Sequence, residues 1–270
     1  MNPPASENTL PLRQSPTHSH GKKIAILANG RAGNGRGIAQ TFLARSHLWG
    51  RKCEYFFPKN LQQLRSICTD LNPDVFEALV VVGGDGTINH VIRSLMDLKR
   101  PVPLYPFPGG TANDLARELG IQPDWIQAQR LIDQNKVEPI DIVEINGIPF
   151  ATVAGIGIGA SLATGFNEKR QSSWLINKLS ELMRSQVYSF LGAQLVLFRR
   201  NYIHRLRIES PEFDETLRTP AVFLCNQSYL AGNLKVAPTI DNNDRRFNVL
   251  IVNTCSKTRL LKAMMDVKKG

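Results

Sequence analysis

The chain has 270 residues, of which 42% are hydrophobic and 21% charged, so it is long enough for about two globular domains. Its net charge of +10 is unevenly distributed, with +7 over residues 1–53, −3 over residues 54–244 and +6 over residues 245–270. The positive charge at the two ends suits an anionic partner: nucleotide phosphates, anionic lipid or nucleic acid. The four cysteines are scattered and include no C-x-x-C pair, which argues against a disulfide scaffold and a zinc site. The sequence has neither an apolar leader nor a run of about 20 apolar residues, which argues against a membrane span.

The first half of the chain alternates between strand and helix patterns. Residues 1–21 are predicted to be a disordered leader rich in Pro, Ser and His. Apolar strands are then predicted at 23–29, 52–57, 78–82 and 102–107, and amphipathic helices after residue 37, at 61–71, 91–98 and 113–119. Buried apolar strands that alternate with such helices are typical of a parallel α/β sheet, which we assign to residues 22–138.

The alternation of strand and helix patterns ends after Glu138. Strand patterns at 139–145 and 148–153 are separated by Asn146-Gly147, a hairpin signal. A long helical stretch is predicted at 174–198, further strands at 202–208, 220–226 and 247–252, and a last helix at 257–267. We therefore assign residues 139–270 to a second, mostly antiparallel β domain.

The feature most suggestive of chemistry is the loop Gly83-Gly84-Asp85-Gly86-Thr87, between an apolar strand and a helix. Its glycines let the backbone approach a ligand closely, and the N–H groups and dipole of the following helix suit a phosphate. Asp85 would place a carboxylate where Mg²⁺ or its waters would lie. A tight turn with a capping Asp is the structural alternative.

Two more glycine loops follow predicted strands. One contains Gly110, Thr111, Asn113 and Asp114, the last two of which could equally cap a helix; the other runs from Asn29 past Gly33. Loops at the carboxyl ends of parallel strands converge on one crevice, so we expect a single nucleotide site there. None of them has the Gly-Lys-Ser/Thr ending of a Walker A loop.

With these motifs the sequence resembles the diacylglycerol kinase catalytic domain family, which includes bacterial lipid kinases and the sphingosine and ceramide kinases. The family has an Asn-Pro-x-x-Gly loop, GGDGT and Gly-Thr-x-Asn-Asp in this order, and the likeness continues to Asp141, 154–160 and 235–238. GGDGT alone is shared with NAD kinases, whereas the GGTAND that follows is more specific to lipid kinases. The resemblance implies an α/β nucleotide domain joined to a β-sandwich domain.

The resemblance also implies site residues, with ATP and Mg²⁺ as cofactors. The expected nucleotide-binding residues are Asn29, Gly33, Gly83, Gly84, Asp85, Gly86, Thr87, Gly110, Thr111, Asn113 and Asp114. Asp85 and Asp141 are the expected catalytic residues, because Asp141 matches a family carboxylate near the reaction centre. For Asp141 the alternative is an ordinary Asp at the domain boundary.

Three departures from the family qualify these expectations. His90 stands where the family often has Glu, and we expect it to be a solvated helix residue. In the loop that holds a structural Mg²⁺ in the family, Asp244 remains, but Arg245 and Asn248 replace Gly and Asp. The family's C-terminal Asp-Gly-Glu, which carries the proposed general base, does not occur in these 270 residues, so we expect slow or absent catalysis from them.

Three functional hypotheses remain open at this point. The first is an ATP-dependent kinase that phosphorylates a primary hydroxyl of a diacylglycerol-like lipid; the second is a catalytically impaired nucleotide- or lipid-binding remnant of such a kinase. An NAD kinase is the third and is disfavoured by the GGTAND loop. We expect a cytoplasmic protein that associates peripherally with anionic membrane surfaces, with a lipid substrate, an optional homodimer and no nucleic-acid partner.

Overall fold

The computed structural model describes residues 21–28, 50–158, 160, 202–211, 213–230, 234–236 and 240–269. The predicted leader, the Asn29–Gly33 loop, the helix after residue 37 and the long helix at 174–198 lie outside the described residues. Asn29 and Gly33 therefore stay predictions.

A four-stranded parallel sheet forms the first half, with the strand order β2-β1-β3-β4. Its strands are β1 (Lys23–Ala28), β2 (Cys53–Phe56), β3 (Phe76–Gly83) and β4 (Leu104–Pro108). Four helices follow these strands in the chain: α1 (Leu61–Asp70), α2 (Asp85–Leu95), α3 (Asp114–Glu118) and α4 (Trp125–Asp133). The parallel α/β architecture predicted from the sequence is confirmed.

Both faces of this sheet are buried, which explains why its strands are apolar without alternation. Leu79 and Val81 face one core with residues of α1 and α2, whereas Val80 and Val82 face the other core with residues of α3 and α4. Successive strand side chains point to opposite faces, so each buried run supplies both cores. The layers place α2 and α3 at the carboxyl edge of β3 and β4.

The second half consists of antiparallel sheets. Its strands are β5 (Val143–Ile145), β6 (Ile148–Phe150), β7 (Val153–Gly157), β8 (His204–Ser210), β9 (Phe213–Thr219), β10 (Ala221–Cys225), β11 (Tyr229–Leu230), β12 (Leu234–Lys235) and β13 (Asn248–Ile251). Strands β13, β10 and β7 form one antiparallel sheet, and β5–β6, β8–β9 and β11–β12 are two-stranded ribbons. The predicted antiparallel second half is confirmed.

The last described element is the helix α5 (Lys257–Lys269). Its Leu260 is buried against Tyr202 and Ala221. No helix in the described part of the chain is long and apolar enough to cross a membrane.

Candidate active site

Two glycine loops lie against each other at the carboxyl edge of the parallel sheet. The N–H of Gly109, after β4, donates to the carbonyl of Gly83, at the end of β3, over 2.9 Å. A Cβ atom on Gly110 would overlap the Cα atom of Gly84 and lie 3.0 Å from its nitrogen. This backbone-to-backbone contact, which we call the glycine junction, requires glycine on both sides.

The side chain of Asn113 closes the second loop. Its Oδ1 accepts from the N–H of Gly110 over 2.7 Å, and its Nδ2 donates to the carbonyl of Gly110 over 2.9 Å. Asn113 has a left-handed backbone, with φ of 54°, which Asn tolerates better than most residues. Within the loop Asn113 therefore acts as a brace, and its polar atoms are already used.

Asp85 connects the two loops through a helix cap. Asn113 occupies the N-cap position of α3 but makes no capping hydrogen bond with its side chain. Instead, Oδ1 of Asp85, at the start of α2, accepts from the N–H of Leu115 over 3.0 Å. A carboxylate at a helix N-terminus is also favoured by the helix dipole. The other carboxylate oxygen of Asp85 has no partner among the described residues.

The glycine junction leaves a small set of groups open to a ligand. Gly86, in the first turn of α2, is exposed, and no atom of the described residues lies within 4 Å of the place where its Cβ would be. Thr111 is half-buried and makes no hydrogen bond within the described residues. Thr87 and Asp114 are buried, and a Cβ atom on Gly83 would lie 2.8 Å from the Cβ of Thr87. Thr87 thus packs on Gly83, whereas the first turn of α2 faces open space.

Asp141 lies on the polypeptide between the two halves and is tied to the loop 241–246. The N–H of Arg245 donates to its Oδ2, and its own N–H donates to the carbonyl of Asn242 over 2.6 Å. The fully buried Asn226 donates through Nδ2 to the carbonyls of Asp141 and Ala151, over 2.7 and 3.0 Å. The position of Asp141 is therefore set by both the loop and Asn226, and its Oδ1 stays free of partners among the described residues.

The loop 241–246 contains Asp244, the expected metal ligand. Asp244 is exposed, and its Oδ1 accepts from the N–H of Arg246 over 2.9 Å. Arg245 has φ of 61°, a left-handed backbone that glycine adopts without strain. In the described part of the chain no three His, Cys, Asp or Glu side chains cluster as metal ligands would. Asp244 as a metal ligand stays a prediction.

Polar contacts from α2 and α3 attach the antiparallel half to the site. Asn89 accepts from the N–H of Ala151 over 3.0 Å and donates to Oγ1 of Thr152 over 3.2 Å. At the end of α3, the Glu118 carboxylate accepts from the N–H and the hydroxyl of Ser228, over 2.9 and 3.1 Å. Both helices that begin at the glycine loops thus make hydrogen bonds to the second half.

These attachments were missed by the sequence analysis. Asn89 and Glu118 have no motif of their own, although Asn89 lies two residues after GGDGT and Glu118 four after Asp114. Both residues lie within about one helical turn of a glycine loop, and this spacing is the sequence signal that could have identified them. His90, expected to be solvated, is half-buried, and burial together with the charge of Arg93 lowers its pKa.

The fold and the glycine junction define an α/β protein in which two glycine loops meet at the carboxyl edge of a parallel sheet. A crystal structure of a diacylglycerol kinase from Bacillus anthracis str. Sterne has the same fold: the TM-score is 0.66 at 20% identity, and the match covers 90% of this chain and 77% of that one.

Sequence comparison shows which proteins the chain is similar to. Residues 23–145 match the family model of the diacylglycerol kinase catalytic domain. The diacylglycerol kinase of Bacillus subtilis (strain 168) is 27% identical over 196 residues, which are 72% of this chain and 61% of that protein. The diacylglycerol kinase of Mycobacterium tuberculosis (strain H37Rv) is 26% identical over 260 residues, 92% of this chain and 79% of that protein. The chain thus matches less than two thirds of the Bacillus subtilis relative.

Proposed function

We propose that this protein is an ATP-dependent lipid kinase that transfers the γ-phosphate to a primary hydroxyl of a diacylglycerol-like lipid. The observation that carries the proposal is the glycine junction together with the first turn of α2, which is open beside Gly86. Both lie within residues 23–145, the region that matches the kinase family. Backbone N–H groups at a helix start suit phosphate oxygens.

Each side chain at the junction has a defined task under this proposal. The N–H groups around Gly86 would bind phosphate oxygens, and Thr111, whose hydroxyl has no hydrogen bond to a described residue, would donate to them as well. When bound, Mg²⁺ would neutralise charge on the phosphates. The free oxygen of Asp85 would face that ion or its waters, while the other oxygen keeps α3 in place.

Asp141 is the candidate proton acceptor among the described residues. Its Oδ2 is engaged by the N–H of Arg245, so the carboxylate cannot rotate freely, and Oδ1 is left for a lipid hydroxyl. A positioned base typically contributes about 10²–10⁴-fold to such a reaction. Asp141→Asn keeps the size and the contact with Arg245, so it tests the base without disturbing the loop.

The four cysteines are consistent with a reducing cytoplasm, where we place this activity. All of them are free thiols, and burial raises the pKa of Cys68 and of Cys225 to about 11.

The test is transfer of label from γ-labelled ATP to a panel of lipids that includes diacylglycerol, monoacylglycerol and sphingosine, with NAD as a further acceptor. We expect labelled lipid with the unaltered chain and no labelled lipid with the Asp141→Asn variant. Labelled NAD and no labelled lipid would instead favour an NAD kinase, and tight ATP binding without any transfer would favour a binding remnant.

A further inference from the structure

The solvent-facing side of the β8–β9 ribbon has two arginines directly opposite each other. The antiparallel register pairs Arg205 of β8 with Arg218 of β9, and both side chains are exposed. Side chains at such opposite positions have Cβ atoms about 4.5–5.5 Å apart, and like charges there destabilise a ribbon. The arrangement therefore costs stability unless an anion lies between the two guanidinium groups.

Arg207, on the same side of the ribbon, is neutralised by carboxylates of the ribbon itself. Arg207 makes two parallel hydrogen bonds to Asp214, over 2.9 and 2.8 Å, and a further ion pair with Glu209 over 3.2 Å. Both carboxylates lie toward the tip of the ribbon and are already used by Arg207. Neither Arg205 nor Arg218 has an ionic partner among the described residues.

The pair also lies next to further positive charge. Strand β9 leads from Arg218 toward the sheet, and the carbonyl of Arg218 accepts from the thiol of Cys255, two residues before α5 begins. Residues 245–270, which include this helix, carry a net charge of +6. On the opposite side of the ribbon, the neighbouring cross-strand pair is Leu206 and Leu217, and both are half-buried, whereas Arg205 and Arg218 are exposed.

We propose that Arg205 and Arg218 form a clamp for the phosphate of an anionic phospholipid headgroup, and that this ribbon is a point of attachment to a membrane. Guanidinium groups bind phosphate oxygens through two parallel hydrogen bonds, and two such groups side by side match one phosphate. The inference rests on the proposed function, because a lipid substrate brings the chain to a membrane surface.

The experiment is flotation of the full chain with vesicles of phosphatidylcholine alone or with about one third phosphatidylglycerol. The double variant Arg205→Gln/Arg218→Gln is compared with Arg65→Gln/Arg100→Gln, whose arginines pair with Asp97 and Asp74 in the other half. Both variants reduce the net charge from +10 to +8, so a nonspecific charge effect would be equal in the two.

We expect the Arg205/Arg218 variant to bind anionic vesicles about twenty-fivefold more weakly at low salt, because each basic side chain near such a surface adds about fivefold. The Arg65/Arg100 variant should lose less than about threefold, because exposed paired charges contribute little. The Arg205/Arg218 variant should melt at the same or a higher temperature, since it relieves a repulsion.

Equal losses in the two variants would overturn the clamp, and so would binding of inorganic phosphate as tight as that of the vesicles. Phosphoryl transfer to lipid dissolved in neutral detergent should be the same in the Arg205/Arg218 variant as in the unaltered chain. If the unaltered chain transfers no phosphate at all, the kinase proposal fails, whereas the vesicle comparison still decides whether the clamp exists.

Discussion

At the residue scale, Asp85 caps a helix, and the same carboxylate keeps one oxygen for the proposed contact with Mg²⁺. The sequence offered it either as a helix cap or as a carboxylate near Mg²⁺. In the structure one oxygen caps α3 through Leu115, and the other has no partner in the part of the chain that the structure describes. A carboxylate has two acceptor oxygens, so both tasks can be performed at once.

Two substitutions separate these tasks. Asp85→Asn keeps an oxygen that can accept from Leu115, so it should leave the free energy of unfolding nearly unchanged but weaken Mg-ATP binding. Asp85→Ala removes the cap as well, and the loss of a cap costs about 1 kcal/mol. Urea titration and calorimetry measure the two effects. Full Mg-ATP affinity in Asp85→Asn would remove this carboxylate from the metal's surroundings.

Arg245 is a residue in a conformation that does not suit its type. A left-handed backbone costs a residue with a Cβ atom about 1–2 kcal/mol, and a change to glycine removes this cost. Glycine also makes the unfolded chain more flexible, which offsets part of the stabilisation. Arg245→Gly should therefore stabilise the protein by up to about 1 kcal/mol, and it preserves the N–H that donates to Asp141.

The neighbour Arg246 provides the control for this substitution. It is equally exposed and carries the same charge, but its φ is not positive. Arg246→Gly should be neutral or destabilising in thermal unfolding. Equal effects of the two substitutions would mean that the backbone of Arg245 is not strained.

At the element scale, the glycine junction determines how β3, α2, β4 and α3 fit together. Gly110→Ala would place a methyl group on the backbone of Gly84, which must separate the loops and should cost about 1–3 kcal/mol or more. Gly86→Ala meets open space and should leave the free energy of unfolding unchanged or raise it by up to about 1 kcal/mol.

The same two variants differ in a second way. Because the open space above Gly86 is the proposed place of the phosphates, Gly86→Ala should weaken ATP binding while the protein remains fully folded. Thermal unfolding and calorimetry on both variants test this. A Gly86→Ala protein with undiminished ATP affinity would move the phosphates away from the start of α2.

How far the elements could be predicted depended on how strong the local pattern was. The strands of the parallel sheet were found because burial on both faces makes them continuously apolar, and the β5–β6 hairpin was found because Asn146 and Gly147 both adopt positive φ. Helix α4 was missed, although Asp124 caps it through the N–H of Ile126. Strand β9 was missed because five of its seven residues are exposed, so its apolar pattern is weak.

The candidate site divides in the same way. Glycine spacing and strand ends predicted both described loops, since those are local properties of the sequence. The direct contact of Gly84 with Gly110 and the cap from Asp85 to Leu115 join residues about 30 positions apart, and no local pattern encodes such a pairing.

At the scale of the whole molecule, the two halves are joined by contacts from the helices that begin at the site. Glu118→Ala should destabilise the protein by about 1–3 kcal/mol, because the N–H and hydroxyl of Ser228 lose their acceptor. Glu138→Ala removes an exposed carboxylate that pairs with Lys136 alone among the described residues, and it should change stability by less than about 0.5 kcal/mol.

Denaturant titrations of the two glutamate variants measure this difference. If Glu118→Ala were as mild as Glu138→Ala, the contact between α3 and the Ser228 segment would not hold the two halves together. A larger effect with a broadened transition would indicate that the halves unfold separately once this contact is lost.

Amide hydrogen exchange can test whether the glycine junction binds the phosphates of ATP. The exchange of individual backbone N–H groups is followed with Mg-ATP and with adenosine, which lacks phosphates. We expect slower exchange at residues 84–87 and at Thr111 with Mg-ATP, and no change there with adenosine. Protection that Mg-ATP confers only on other parts of the chain, with these amides exchanging as before, would contradict this expectation.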